Sequence, residues 1–162
     1  MNIKRSKKIN DARLRKMKER DVCLMEIKTE MRQKLKEERT NNHDKYIDTV
    51  KNLILQSMIK MLEPKLKILC REEDKDDIRG FVDELQSKYH DFLLEQTGRD
   101  EYNCELEILD ESLSEDQDKG CGGVILYTDN NRIVCPNTLL NRLDLAFEEF
   151  LPQIRKTLFP GK

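Results

Sequence analysis

The chain has 162 residues, of which 38% are charged and 37% hydrophobic, so it is long enough for one modest domain and an extension. This composition is too polar for a compact globule alone, and part of the chain is expected to be a solvated rod. No run of about 18 apolar residues is present and the N-terminus has no apolar core, so we expect neither a membrane-spanning helix nor a secretory signal, and a cytosolic location.

The net charge of −2 conceals an uneven distribution along the chain. Residues 1–45 contain 15 Lys/Arg and 8 Asp/Glu, a balance of +7, which leaves −9 for residues 46–162. Such a basic arm can neutralise phosphates, but residues 1–45 contain no Phe, Tyr or Trp on which single-stranded bases stack. Nucleic-acid binding therefore stays an alternative, behind a solvated helix face or an acidic partner helix.

Residues 3–39 contain neither Pro nor Gly and are rich in Lys, Arg, Glu, Met and Leu, a composition that predicts a long helix. Apolar residues are sparse and recur at seven-residue spacings, as in Met17 and Leu24, or at eleven-residue spacings, as in Ile3 and Leu14. An eleven-residue repeat is typical of a right-handed supercoil. So narrow a stripe predicts a partner helix, with a lone charged helix or a disordered basic arm as the alternatives. We call the predicted positions the partner-helix seam: Leu14, Met17, Leu24, Met25, Met31 and Leu35.

Residues 40–44 form a patch of weak helix propensity where the helix is expected to bend or fray. The segment 46–62 that follows has apolar residues on more than one face, so we expect the downstream domain to cover it on several sides. Glu63-Pro64 should end this helix, because the residue before Pro is disfavoured in the helical region.

The remainder alternates strands and helices. Residues 65–71 predict a strand with Leu66, Ile68 and Cys70 on one face. A helix is predicted from Asp74 to Gly98, and a second strand covers 104–109. Two strands joined through a helix should be parallel if they share a sheet.

The C-terminal third predicts a hairpin followed by a helix. An acidic loop covers 113–119, and strands at 124–127 and 132–135 are joined by Asp129-Asn130-Asn131, residue types that tolerate positive φ. Asn137 is expected to cap the last helix, and Pro152 to kink or break it. The predicted fold class is α+β, with a long helix or coiled-coil rod over 1–62 and a small mixed domain over 63–162.

Residue patterns for catalysis are weak. Gly120-Cys121-Gly122-Gly123 lacks the Lys-Ser/Thr of a phosphate-binding loop, and its glycines are explained by backbone freedom at the entry to a hairpin. Five scattered cysteines include no Cys-x-x-Cys pair, and His43 and His90 repeat no ligand spacing. Catalysis by a Cys–His pair stays an alternative on residue spacing alone, although no feature of the sequence favours it. We predict no catalytic residue, no metal site and no cofactor.

The stretch 122–145 carries a resemblance to a known family. It reads Gly-Gly-Val-Ile-Leu-Tyr, a polar turn, Arg-Ile-Val, and then Asn-Thr-Leu-Leu-Asn-Arg-Leu-Asp-Leu. These motifs resemble the C-terminal domain of the E subunit of eukaryotic V-type proton-pumping ATPases (V-ATPases). Further motifs of the same family are resembled, in the same order along the chain, by residues 10–14, 55–66 and 70–74. The family implies a long helix paired with the V-ATPase G subunit in a right-handed supercoil, ending in a mixed α/β domain that grips the soluble ATPase head.

This resemblance implies a non-catalytic stator subunit on the cytosolic face of acidified endomembranes, with the G subunit and the catalytic head subunits as partners and no membrane insertion. The resemblance begins partway along the long helix of the family, and the chain ends before the C-terminal tail that is usual in the family. We therefore expect an N-terminally shortened copy of the subunit. An unrelated coiled-coil adaptor is the alternative. The terminal hairpin and helix are expected to dock on the head, through Tyr127, Arg132, Arg142, Phe147 and Phe150.

Overall fold

A computed structural model describes the backbone of residues 2–160 and the side chains of residues 4–160. Ile3, which belongs to the eleven-residue spacing, therefore lies outside the described side chains. The chain divides into two compact units, residues 1–34 and residues 35–162. The first unit is wholly helical over its described residues.

The predicted long helix is confirmed. Helix α1 covers Asn2–Asn41, and α2 covers His43–Met61. Asn42, with φ −126° and ψ 60°, interrupts the helical backbone between them, as the weak propensity of residues 40–44 predicts. Leu62 ends α2 in the left-handed conformation, with φ 52°, immediately before the predicted Glu63-Pro64 exit.

The second unit is built on a four-stranded sheet. Strands β1 and β2 are parallel, which confirms the sequence prediction, and β3 is antiparallel to both of its neighbours. The predicted hairpin is also present, although its second strand begins two residues later than expected. The strands are β1 (Lys65–Cys70), β2 (Glu105–Ser112), β3 (Gly123–Thr128) and β4 (Val134–Thr138), in the order β2-β1-β3-β4.

Three more helices complete this unit: α3 (Lys75–Thr97), α4 (Glu115–Asp118) and α5 (Leu139–Leu158). Together with a 3₁₀ turn at Glu72–Asp74, α3 connects the two parallel strands. Helix α3 ends at Gly98, as predicted, and Gly98 has the left-handed conformation, with φ 68°.

One face of the sheet packs against α2 and α3 to form the core. Leu66, Ile68 and Cys70 of β1 are all fully buried, so the predicted strand face is confirmed. Helix α2 contributes buried side chains along two faces, because it packs on both the sheet and α3. The unit that contains this core begins at Leu35. The division into a rod over 1–62 and a small mixed domain over 63–162 stays a prediction.

Two local predictions are wrong, and of the kink or break expected at Pro152 the break is absent. The expected acidic loop contains the short helix α4, and the N–H of Ser114, the residue before this helix, donates to Gln117 Oε1 at 3.0 Å. Thr138, and not Asn137, caps α5, because Thr138 Oγ1 accepts the Asn141 N–H at 3.1 Å. Pro152 does not break α5, since it lies on the exposed side, where water can bind the carbonyl group that loses its partner.

Candidate functional site

The glycine-rich loop that precedes β3 adopts backbone conformations that only glycine accepts readily. Gly120, Gly122 and Gly123 have φ values of 75°, 89° and 102°. A Cβ at Gly122 would overlap the Tyr46 hydroxyl, and one at Gly123 would lie 2.7 Å from Thr138 Cα. The glycines therefore allow this loop to lie directly against α2 and the start of α5.

The four amide groups of this loop all bind groups of the protein itself. The Gly120 N–H donates to Asp118 Oδ1 at 2.9 Å, and the Gly122 N–H donates to Asp118 Oδ2 at 3.2 Å. The Cys121 N–H donates to the Asp118 carbonyl oxygen, and the Gly123 N–H donates to Tyr46 Oη at 3.1 Å. Such a row of amides can cradle an anion, and here the carboxylate of Asp118 fills that role.

Tyr46 links this loop to the start of α3. Its hydroxyl donates to Asp74 Oδ2 at 2.6 Å while it accepts the Gly123 N–H. Burial and the neighbouring Asp74 charge raise the pKa of Tyr46, so the phenol stays protonated and continues to donate. Burial also raises the pKa of Asp74, although the Tyr46 hydrogen bond opposes that shift.

An arginine completes this polar cluster, which we call the Tyr46 cluster: Tyr46, Arg71, Asp74, Asp118 and the loop 120–123. Arg71 Nη1 donates to Asp118 Oδ2 at 3.2 Å, and its Nη2 donates to Glu73 at 3.1 Å. The cluster joins α2, the end of β1, the start of α3 and the entry to β3. Its chemistry is structural, because the tyrosine hydroxyl, the two carboxylates and the loop amides are engaged in holding these four segments together.

The cysteines and histidines give no support to nucleophilic catalysis. Burial raises the pKa of both Cys70 and Cys104 to about 11, so their thiols stay protonated at neutral pH. His43 Nε2 lies 3.1 Å from Asp77, and His90 Nε2 lies 2.9 Å from Asp100, each on the surface of α3 or next to it. Residues 2–160 contain no group of three or more side chains that could hold a metal ion.

The residues of the predicted partner-helix seam differ in how much of each side chain is exposed to solvent. Leu14, Met17 and Met25 are 49%, 60% and 61% exposed, and Met31 is 39% exposed. Leu24 is only 4% exposed, and Leu35 is partly buried. The exposed members leave an apolar surface on α1, whereas Leu24 does not contribute to it.

The residues predicted to dock on an ATPase head also differ in side-chain exposure. Arg132 and Arg142 are at least partly exposed, Tyr127 is half-buried on β3, and Phe150 is 48% exposed. Phe147 is 8% exposed, so its ring belongs to the interior of the chain.

A cleft of about 470 Å³ lies between the end of α2, strand β4 and the start of α5. Sequence reasoning missed it, apart from Arg142, because its lining comes from three segments that are distant in the chain. The adjacent apolar pair Ile133-Val134, just after a polar turn, was the available signal. The lining residues are Gln56, Ser57, Lys60, Met61, Ile133, Val134, Cys135, Pro136, Asn137, Asn141, Arg142 and Leu145.

Over the part of the chain that the structure describes, no helix is both long and apolar enough to cross a membrane.

Comparison with known proteins gives a consistent result. The model of a family described as ATP synthase (E/31 kDa) subunit matches residues 1–159. The chain is 35% identical to the E subunit of the V-type proton ATPase of Drosophila melanogaster over 159 residues, which cover 97% of this chain and 65% of that protein. It is 32% identical to the corresponding E subunit of Dictyostelium discoideum, with 97% and 67% coverage, and 31% identical to the E3 subunit of Arabidopsis thaliana, with 95% and 68% coverage. The chain spans about two thirds of the length of these curated relatives.

Proposed function

Because this chain belongs to the family of ATP synthase (E/31 kDa) subunits, whose curated relatives are E subunits of V-type proton ATPases, we propose that it is a non-catalytic stator subunit of such a pump. In this role the chain does no chemistry. It is one part of a peripheral stalk that holds the soluble ATPase head still while ATP hydrolysis turns a central rotor. Without such a stalk the head would turn against the rotor and no torque would reach the proton channel.

The observation that carries this proposal is the exposed apolar surface of α1. Leu14, Met17 and Met25 are about half or more exposed on a helix that is otherwise strongly charged. Fully burying a side chain of this size contributes roughly 1.5–3 kcal/mol, and about half of the surface of each of these three is still exposed, so together they can contribute roughly 2–5 kcal/mol to pairing with a second helix. We propose that this helix is the V-ATPase G subunit, and that the supercoil gives the stalk its stiffness.

The folded unit 35–162 is proposed to hold the head subunits. The Tyr46 cluster supports this role, because a connection that carries torque needs segments fixed to one another by more than apolar packing. Docking would then use the exposed hairpin and α5, including Arg132, Arg142 and Phe150. The chain would be cytoplasmic and peripheral on the cytosolic face of acidified endomembranes through its partners, with no direct insertion and no nucleic acid.

The pairing step can be tested with purified chains. The variant Leu14→Ser/Met17→Ser/Met25→Ser and the parent are each mixed with the recombinant G subunit of the same organism, and complex formation is followed by light scattering and by the gain in helical circular dichroism. We expect the triple variant to lose the complex and to keep the thermal melting of the parent.

Pairing by the triple variant with the affinity of the parent would contradict the proposed seam. Co-purification of the tagged chain from its own cells tests the wider role. Recovery of the G subunit and the ATPase head subunits is the expected result, and consistent recovery of unrelated coiled-coil proteins without them would replace the stator proposal with an adaptor.

A further inference from the structure

The cleft between α2, β4 and α5 has an apolar wall that is open to solvent. Ile133, Val134 and Leu145 line it and are 51%, 46% and 59% exposed, and Met61 lines it from the last turn of α2. Exposed apolar side chains are common when scattered singly, but here they converge on one concavity. Its volume of about 470 Å³ falls in the range of binding sites.

The charged groups of this cleft are all positive. Lys60 and Arg142 line it, and no Asp or Glu does. Arg142 Nη1 donates to Gln56 Oε1 at 2.9 Å and to Asn137 Oδ1 at 3.2 Å, which fixes the guanidinium group at the start of α5. Within residues 4–160, neither cation forms an ion pair. A positioned guanidinium with free N–H groups is suited to bind a carboxylate.

The free edge of β4 limits what can bind beside these groups. The Ile133 carbonyl oxygen accepts the Thr128 N–H, and the Leu139 N–H donates to the Gly122 carbonyl oxygen, so odd-numbered residues along β4 face β3. Alternation then directs the N–H and C=O of Val134 away from β3, to the open edge of the sheet, and Val134 also lines the cleft. Pro136 has no N–H, and its carbonyl oxygen already accepts Asn141 Nδ2 at 2.9 Å. The edge of β4 therefore offers one residue, Val134, for backbone hydrogen bonds with a bound segment. Pro136 prevents the pairing from continuing along β4.

We propose that this cleft binds a short extended segment of a soluble head subunit, which places an apolar side chain against Ile133 and Leu145 and a carboxylate on Arg142 and Lys60. One pair of backbone hydrogen bonds to Val134 fixes the register of the segment. Charge complementarity selects an acidic segment, because no group in the lining repels a carboxylate and two groups attract it. The inference rests on the proposed stator function and assigns the chemistry of its head contact.

Site-specific cross-linking tests which segment occupies the cleft. A photoreactive p-benzoylphenylalanine replaces Leu145 in the full chain, which is then incorporated into the complete complex with the G subunit and the head. The expected result is a cross-link to a head-subunit peptide that carries Asp or Glu within about three residues of the attachment point. The same reagent at Phe92, which is 41% exposed on α3 and outside the cleft, is the control and should not label that peptide.

Charge reversal gives an independent measurement. Lys60→Glu/Arg142→Glu should weaken association with the head by about tenfold or more while binding to the G subunit is unchanged. The matched variant Lys45→Glu/Arg99→Glu makes the same change in net charge at exposed positions outside the cleft and outside α5, and should stay within about twofold of the parent. Melting temperatures of both variants separate loss of binding from loss of folding, and Arg142→Lys serves as a milder variant if the double variant unfolds.

The outcomes of these experiments distinguish failure of the cleft proposal from failure of the stator proposal. If the parent binds the head but the charge-reversal variant binds equally well, or Leu145 cross-links to a segment without carboxylates, the cleft proposal is wrong and the stator proposal stands. Cross-linking of Leu145 to a second copy of this chain, or to nothing while the complex is intact, overturns the cleft proposal as well. If the parent does not associate with the head at all, both proposals fail.

Discussion

The Tyr46 hydroxyl occupies the space that a Cβ atom at Gly122 would need. The two residues are 76 positions apart in the sequence, and their contact brings the entry to β3 against the first turns of α2. A glycine that looks like simple backbone freedom in the sequence is therefore also a requirement of packing.

Gly122→Ala should destabilise the chain by about 2–4 kcal/mol, because the methyl group meets both the positive φ of 89° and the Tyr46 ring. Gly80→Ala is the matched control, since Gly80 lies inside α3 and a methyl group placed there would have no atom within 4 Å. That substitution should stabilise the chain by roughly 0.5–1 kcal/mol. Urea unfolding of the two variants measures both changes, and equal stabilities would show that the loop relaxes freely.

Asp118→Ala should cost about 2–4 kcal/mol, because it leaves the amides of Gly120 and Gly122 without their acceptor and removes one of the two carboxylates bound by the Arg71 guanidinium. Asp118 is 3% exposed, whereas Asp116 in the same short helix is exposed. Asp116→Ala is thus the control and should change the unfolding free energy by less than about 0.5 kcal/mol. Similar losses for both variants would argue against the internal carboxylate as the organiser of this loop.

Asp74 should make stability depend on pH. Its raised pKa means that the folded chain binds the Asp74 proton more tightly than the unfolded chain does. The contribution of this proton to the free energy of unfolding is therefore complete below the ordinary pKa of about 4, and it is lost as pH rises through the raised pKa of the folded chain. Asp74→Asn removes the titration and keeps an oxygen to accept the Tyr46 hydrogen bond. The unfolding free energy of this variant relative to the parent should therefore increase from pH 4 to pH 7.

Urea unfolding of the parent and of Asp74→Asn at each pH measures this difference. A relative stability of Asp74→Asn that falls with rising pH would mean that the folded chain favours the carboxylate, which contradicts a raised pKa at Asp74.

Phe147→Asp should unfold the second unit, since a buried ring is replaced by an unpaired carboxylate at a cost of several kcal/mol, comparable to the stability of a small domain. Phe150→Asp on the same helix is the matched control, because that ring is 48% exposed. Thermal melting should be lost or strongly lowered in the first variant and nearly unchanged in the second. If both variants melt like the parent, the buried face of α5 is assigned incorrectly.

Local sequence patterns were sufficient for most of the elements. The long Pro- and Gly-free run predicted α1, the alternation of Leu66, Ile68 and Cys70 predicted β1, and strand-helix-strand order predicted the parallel pair. The first two features depend on residue patterns within one element, and the third depends on the connection rule for consecutive elements, which is why all three can be read directly from the sequence.

The remaining features depend on contacts between distant residues. Asn137 has the chemistry of a helix cap, yet its amide donates to the Leu53 carbonyl oxygen at 3.0 Å and to Ser57 Oγ at 3.0 Å, so it is used to join β4 to α2. Asp74 has the position of a cap for α3, but its carboxylate accepts the Tyr46 hydroxyl instead. No local pattern distinguishes these uses, and the cleft beside β4 was hidden for the same reason.

The position of β3 between β1 and β4 also affects how the chain folds during synthesis. Val124 and Leu126 complete the core against α2, yet they leave the ribosome about 70 residues after Met58, a delay of roughly 4–14 s at ordinary translation rates. Throughout this interval the apolar face of α2 has no finished sheet to cover it. The nascent chain therefore exposes this face of α2 for a defined period, during which contacts with other chains compete with folding.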